Sequence, residues 1–139
     1  MAYHPDLFNK RIFVVEDDVL NLYVISRPLT ECGAQVYSNY NSIGIVAHII
    51  EHLPIDVILL DIMLRNGING YDIFLQLSQN PRLQNIPVVA VTSLDPESEI
   101  PKVKEMGFAG FISKPINARS FAQDVAGIIN KDSKWIVSR

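Results

Sequence analysis

Val57-Ile58-Leu59-Leu60-Asp61 is the stretch that decides the fold: four aliphatic residues without alternation, then a carboxylate. An uninterrupted apolar run this short suits a strand buried on both faces, which is the position of a strand inside a parallel sheet. Working outward, the same form recurs. Ile12-Phe13-Val14-Val15 runs into Glu16-Asp17-Asp18, Val88 to Thr92 runs into Ser93, and Gly110 to Ser113 runs into Lys114. Amphipathic stretches separate these runs, and apolar strands alternating with helices are the pattern of a doubly wound α/β sheet covered on both faces. The expected strands are Arg11 to Val15, Ala34 to Ser38, Val57 to Leu60, Val88 to Thr92 and Gly110 to Ser113. The expected helices are Val19 to Glu31, Ser42 to His52, Tyr71 to Gln79, Ser98 to Met106 and Ala118 to Asn130.

Glycines and prolines punctuate this pattern. Gly33 and Gly107 follow the first and fourth helices, where a residue with positive φ ends a helix most easily. Pro28 falls inside the first helix, removes one backbone bond and predicts a kink. Pro101 predicts a short fourth helix that begins near Pro101 itself, with a loose segment before it from Pro96.

A length of 139 residues with 48% hydrophobic content suits one compact domain with an ordinary core. A net charge of −3, with 12 Lys and Arg spread along the chain, argues against direct binding of nucleic acid. The single Cys32 forms no internal disulfide. The start has no signal-peptide character, and no apolar run approaches the roughly 18 residues of a membrane span, so a cytoplasmic location is expected.

All strands of an open parallel sheet end at one edge, and ligands bind in the crevice there. Four strand ends deliver Glu16, Asp17 and Asp18, then Asp61, then Thr92 and Ser93, then Lys114. Singly these residues have plain explanations: an acidic run after a strand also serves as a helix cap, and a Lys before a Pro is commonly a solvated loop residue. Together they point to phosphoryl chemistry. Two carboxylates ~5 Å apart repel by about 3 kcal/mol at an effective dielectric of ~20. A hard divalent cation with oxygen ligands offsets that repulsion and keeps positions open for phosphoryl oxygens. Lys114 adds a second positive charge and Thr92 a hydroxyl donor, so Asp61 can attack phosphorus in line and form an aspartyl phosphate.

The segments IFVVEDDVLN, VILLDIM, IPVVAVTS and GFISKPI, in this order, resemble the CheY-like receiver family of response regulators. Asn21 and ISKPI are similar to stand-alone, single-domain receivers and to those of hybrid kinases. The resemblance covers roughly residues 10–130, leaving 1–9 as an N-terminal extension and 131–139 as a C-terminal tail. It implies a flavodoxin-like three-layer sandwich with a five-stranded parallel sheet of order 2-1-3-4-5. It implies Glu16 and Asp17 as the acidic pair holding Mg2+ or Mn2+, with Asp61 and the backbone carbonyl of Met63 completing the coordination. Asp61 is then the phosphoacceptor, Asp18 a flanking residue, Thr92 the switch hydroxyl, Lys114 the phosphate-binding lysine and Phe111 the aromatic switch. Pro115 follows a cis peptide bond. The implied partners are a histidine kinase or histidine phosphotransfer protein, and an effector on the face made by the fourth helix, fifth strand and fifth helix. The chain is expected as a monomer or a phosphorylation-dependent dimer, and as a self-phosphorylating acceptor rather than a turnover enzyme.

The sequence departs from the family in one loop. Arg65 stands where a Pro is common, and Gly70 falls nine residues after Asp61 instead of eight, so residues 64–69 should bulge. The inserted loop supports an alternative, a pseudo-receiver that binds partners without being phosphorylated; the intact set Glu16, Asp17, Asp61, Thr92 and Lys114 weighs against it. A phosphatase of the haloacid dehalogenase type would need a second Asp at Met63, and a flavodoxin would need a hydroxyl-rich first loop. His48 and His52 share a helix face without an acidic third ligand, and Trp135 is expected to pack back on the fold.

Overall fold

The computed structural model describes residues 5–39, 44–64 and 67–136. After a 3-10 turn at Pro5–Leu7, the elements run β1 (Arg11–Val15), α1 (Val19–Glu31), β2 (Gln35–Asn39), α2 (Ile45–Glu51), β3 (Val57–Leu60), α3 (Gly70–Ser78), β4 (Val88–Thr92), α4 (Pro96–Met106), β5 (Gly110–Ser113), α5 (Phe121–Ile129) and β6 (Lys134–Ile136). The strands form one sheet in the order β2-β1-β3-β4-β5-β6, and every neighbouring pair is parallel.

The central strands β1, β3, β4 and β5 alternate their side chains between two separate cores. Phe13, Val15, Ile58, Leu60, Val88, Ala90 and Phe111 face the core closed by α2, α3 and α4. Ile12, Val14, Val57, Leu59, Val89, Val91 and Ile112 face the core closed by α1 and α5. Both faces are therefore dry, which is why these four strands read as continuous apolar runs.

The expected five strands become six. Lys134–Ile136, placed by sequence in the tail, pair with Gly110, Phe111 and Ile112 of β5. Gly110 permits this, because a Cβ there would lie 2.8 Å from the Lys134 carbonyl oxygen. Trp135 packs on the α4 side of the sheet with the Lys104 ammonium 4.9 Å above its ring. Trp135→Ala is expected to destabilise the fold by about 1–2 kcal/mol, less than a fully buried Trp would. Urea denaturation checks this, and an unchanged midpoint would show that β6 is only loosely attached.

The fourth helix also departs from expectation. It begins at Pro96, not near Pro101, because its start is well made: Asp95 caps it by accepting from the Glu97 amide, Pro96 occupies the first turn and Glu97 and Glu99 face the positive helix end. These contributions outweigh the one bond that Pro101 removes. Gly107, at φ 105°, ends the helix. Similarly α1 continues through Pro28 to Glu31 as one helix. The expected start of the second helix at Ser42 lies outside the described residues, and α5 begins at Phe121 after a turn in which Asn117 accepts from the Ser120 and Phe121 amides.

Candidate functional site

The strand register brings the site together. Val15 lies beside Leu60, and the Asp61 amide donates to the Val15 carbonyl at 3.0 Å, so the carboxylates that follow β1 and β3 emerge side by side. Leu60 lies beside Ala90 and Thr92 beside Ser113, and the Lys114 amide donates to the Thr92 carbonyl at 2.9 Å. Glu16, Asp17, Asp18, Asn21, Asp61, Met63, Ser93 and Lys114 line one crevice of about 240 Å³ at this edge. A larger crevice, between α2 and α3, is lined by mixed side chains such as Ile45, Ile73 and Gln76 and holds none of these groups.

Lys114 is the hub. Its ammonium donates to Glu16 Oε1 at 2.5 Å and to Asp61 Oδ2 at 3.0 Å. Glu16 is 1% exposed and Asp61 7%, so two carboxylates that would repel each other in a poorly hydrated place share one cation. The remaining oxygens are held by backbone: Glu16 Oε2 accepts from the Asp18 amide at 3.2 Å, and Asp61 Oδ1 from the Met63 amide at 3.0 Å. Burial pushes the Glu16 carboxyl above its ordinary pKa, against the lowering effect of Lys114. Burial works to lower the Lys114 ammonium, but its bond to Glu16 and the Asp61 charge hold it above its ordinary value. Lys114 is therefore a permanent cation here.

Asp18 caps α1, accepting from the Asn21 amide at 3.0 Å, which leaves Glu16 and Asp17 as the acidic residues preceding the helix. Thr92 is completely buried, and its Oγ1 accepts from the Leu94 amide at 3.3 Å. Phe111 is likewise completely buried, in the α4-side core. Its ring packs on the same face of the sheet as Ala90 and Val88. The Lys114–Pro115 peptide is cis, as is Leu53–Pro54.

The donor set suits a hard cation: oxygen atoms only, two of them on buried carboxylates, with Asp17 on the same wall. Among the described residues no three His, Cys, Asp or Glu side chains converge on a metal position. Glu16 and Asp61 are both turned to Lys114, which takes the place of a cation between them. His48 and His52 hydrogen-bond instead to Asn39 and to the His48 carbonyl.

One contributor escaped the sequence reading. Gly70 appears there only as a displaced glycine, but its amide donates to the Ile62 carbonyl at 2.8 Å, and a Cβ would lie 2.5 Å from the Asp61 carbonyl oxygen. The signal that could have found it is a glycine opening a helix with no turn to make. Met63 and Asn69 form an antiparallel bridge across the base of the loop; Arg65 lies outside the described residues.

A three-layer parallel sheet that collects acid, hydroxyl and ammonium at one edge defines a protein of the response regulator class. The chain belongs to the response regulator receiver domain family, whose profile matches residues 12–126. It is 28% identical over 116 residues to the polar-differentiation response regulator DivK of Brucella anthropi, covering 84% of this chain and 93% of that one. It is 29% identical over 119 residues to protein PilH of Pseudomonas aeruginosa, covering 86% and 97%. A response regulator structure from Desulfuromonas acetoxidans superposes with a TM-score of 0.76 at 24% identity, over 87% of this chain and 97% of that one, which shows the fold alone. Among the described residues no helix is long and apolar enough to cross a membrane.

Proposed function

We propose that this receiver domain accepts a phosphoryl group on Asp61 in a Mg2+-dependent reaction and signals through protein contacts in the cytoplasm. The observation that carries the reading is the pair of bonds from one lysine to two buried carboxylates, Glu16 and Asp61, at the mouth of an acid-lined crevice. A structural ion pair needs one carboxylate, and packing two against a single ammonium is costly unless the site serves an anion and a cation in turn.

Glu16, Asp17, Asp61 and the Met63 carbonyl would hold Mg2+ or Mn2+, which supplies charge neutralisation for an incoming phosphoryl group. Asp61 Oδ attacks the phosphorus of a phosphohistidine on a histidine kinase or histidine phosphotransfer protein. The O–P bond forms as the N–P bond breaks, and the imidazole leaves and takes up a proton. Lys114 follows the charge: as Asp61 becomes an acyl phosphate, the ammonium bonds a phosphoryl oxygen instead of the lost carboxylate oxygen. The Thr92 hydroxyl donates to a phosphoryl oxygen, and its movement toward that group pulls Oγ1 away from the Leu94 amide it accepts from, which releases the start of α4. The effector face is α4, β5 and α5, and Phe111 is the aromatic switch that takes up the space Thr92 vacates as it moves toward the phosphoryl group.

Acetyl phosphate with Mg2+ is expected to add one phosphoryl group, seen as an intact-mass adduct, and the adduct should vanish in Asp61→Asn or with chelator. Met63 and Leu94 offer no polar side chain to orient an attacking water, so the adduct should survive for minutes or longer without a phosphatase. A folded protein that gives no adduct and binds neither Mg2+ nor beryllofluoride would instead be a pseudo-receiver.

A further inference from the structure

We infer that the first turn of α4 is a separate signalling lever, hinged at Pro101 and fastened to the Asp61 loop by Tyr71; this rests on Asp61 being the phosphoacceptor. The fastening runs through short, named contacts. Gly70 lies directly against the backbone of Asp61 and Ile62, and Asn69 caps α3 by accepting from the Tyr71 amide at 2.8 Å. The Tyr71 ring is buried, edge-on to Phe108 at 6.2 Å, and its hydroxyl donates to Glu99 Oε1 at 2.5 Å. The Lys102 ammonium stands 4.1 Å from the ring centre, and the Ser98 hydroxyl donates to the other Glu99 oxygen at 2.8 Å. Glu99 is thereby fixed in place by a residue whose chain neighbour packs on the phosphoacceptor.

The other end of the same turn is also attached to the site. Asp95 caps the helix, and one residue before it the Leu94 amide donates to Thr92 Oγ1. Residues 96–100 are therefore held at both ends by groups that answer to Asp61. From Val103 onward α4 is held by different contacts: Val103 is fully buried, Lys104 lies over Trp135 in β6, and Gly107 closes the helix. Pro101, which has no N–H to give the Glu97 carbonyl, stands two residues before this change of contacts, with the Lys102 ammonium reaching back to Tyr71 from beyond it, so the helix is least stiff close to where the contacts divide. A shift at the site that moves Thr92 and the loop together tilts the first turn about this point and repositions Glu97 and Glu99. The remainder of the helix stays with β5 and β6.

The test is 15N NMR of the full chain with Mg2+, before and after beryllofluoride. Amides of residues 97–100 are expected to shift, and those of 103–106 to stay nearly fixed. In Tyr71→Phe, which keeps the ring, the first-turn shifts should be mostly lost while residues 92–94 still respond and the acetyl phosphate adduct forms at an unchanged rate. Glu99→Gln, which keeps an acceptor, should retain the response. Pro101→Ala, which restores the missing donor, should spread the shifts along the whole helix. A wild-type first-turn response in Tyr71→Phe, or uniform movement of α4 in the wild type, would overturn the lever. Failure of beryllofluoride to bind would remove the phosphoacceptor reading and this inference with it.

Discussion

Lys114→Met is expected to destabilise the domain by about 3 kcal/mol at neutral pH, and most of that loss should be recovered by mild acidification. The size follows from removing one partner of a buried charge cluster, which leaves an uncompensated charge in a place of poor hydration. Lys114 is the ammonium that bonds both Glu16 and Asp61, and Glu16 is 1% exposed. With the lysine gone, burial and the Asp61 charge both act to raise the Glu16 carboxyl further. A carboxyl whose folded pKa is raised holds its proton more tightly in the native state, so the penalty is absent below the ordinary carboxylate range of about 4.3. It grows as pH rises from there through the folded value. Urea denaturation at pH 5 and pH 8 reads both effects. Adding Glu16→Gln should restore most of the stability at pH 8, because the more deeply buried charge and its repulsion with Asp61 are then gone and only the Asp61 carboxylate is left without its lysine. A variant as stable as the wild type at pH 8 would mean that water, not Lys114, neutralises the pair, and the two-carboxylate argument for the site would fail with it.

That coupling could not be read along the chain, since Glu16 and Lys114 are 98 positions apart. Their presence at one edge was legible, because β1, β3, β4 and β5 are buried on both faces and their apolar runs stop where the sheet stops. The expected limits of these four strands match the structure residue for residue. Where burial is one-sided the reading slips: β2, an edge strand with mostly half-exposed residues, begins at Gln35 instead of Ala34. β6 was invisible because three residues, Lys134–Ile136, give no periodicity, and its place depends on Gly110 across the sheet. The start of α4 was misplaced because Pro101 is a strong local signal and the Asp95-Pro96 cap a stronger one. The bond from the Leu94 amide to Thr92 Oγ1 and the burial of Phe111 are three-dimensional facts with no sequence signature.

Gly70→Ala should do the most damage of any small substitution outside the polar residues of the crevice. A Cβ at Gly70 would lie 2.5 Å from the Asp61 carbonyl oxygen and 2.6 Å from the Ile62 Cα. Both obstacles are backbone, so no side chain can turn aside, and the β3–α3 segment must separate. Overpacking of this kind costs about 1–3 kcal/mol, offset by up to ~1 kcal/mol from replacing glycine with alanine at a helical position. A net loss of about 1–2 kcal/mol is expected. The larger effect falls on phosphorylation, because the clash displaces Asp61 itself, and a misplacement of about 1 Å at a reacting atom lowers rates on the order of a hundredfold. Gly67→Ala is the matched control: its φ of 74° makes alanine strained, at roughly 1–2 kcal/mol, but nothing lies within 4 Å of its Cβ position. Both variants should lower the urea midpoint, and only Gly70→Ala should slow acetyl phosphate incorporation. Equal rates in the two would mean that Asp61 is positioned by β3 alone. A slow Gly70→Ala beside a normal Gly67→Ala would place the α3 start among the elements that aim the carboxylate.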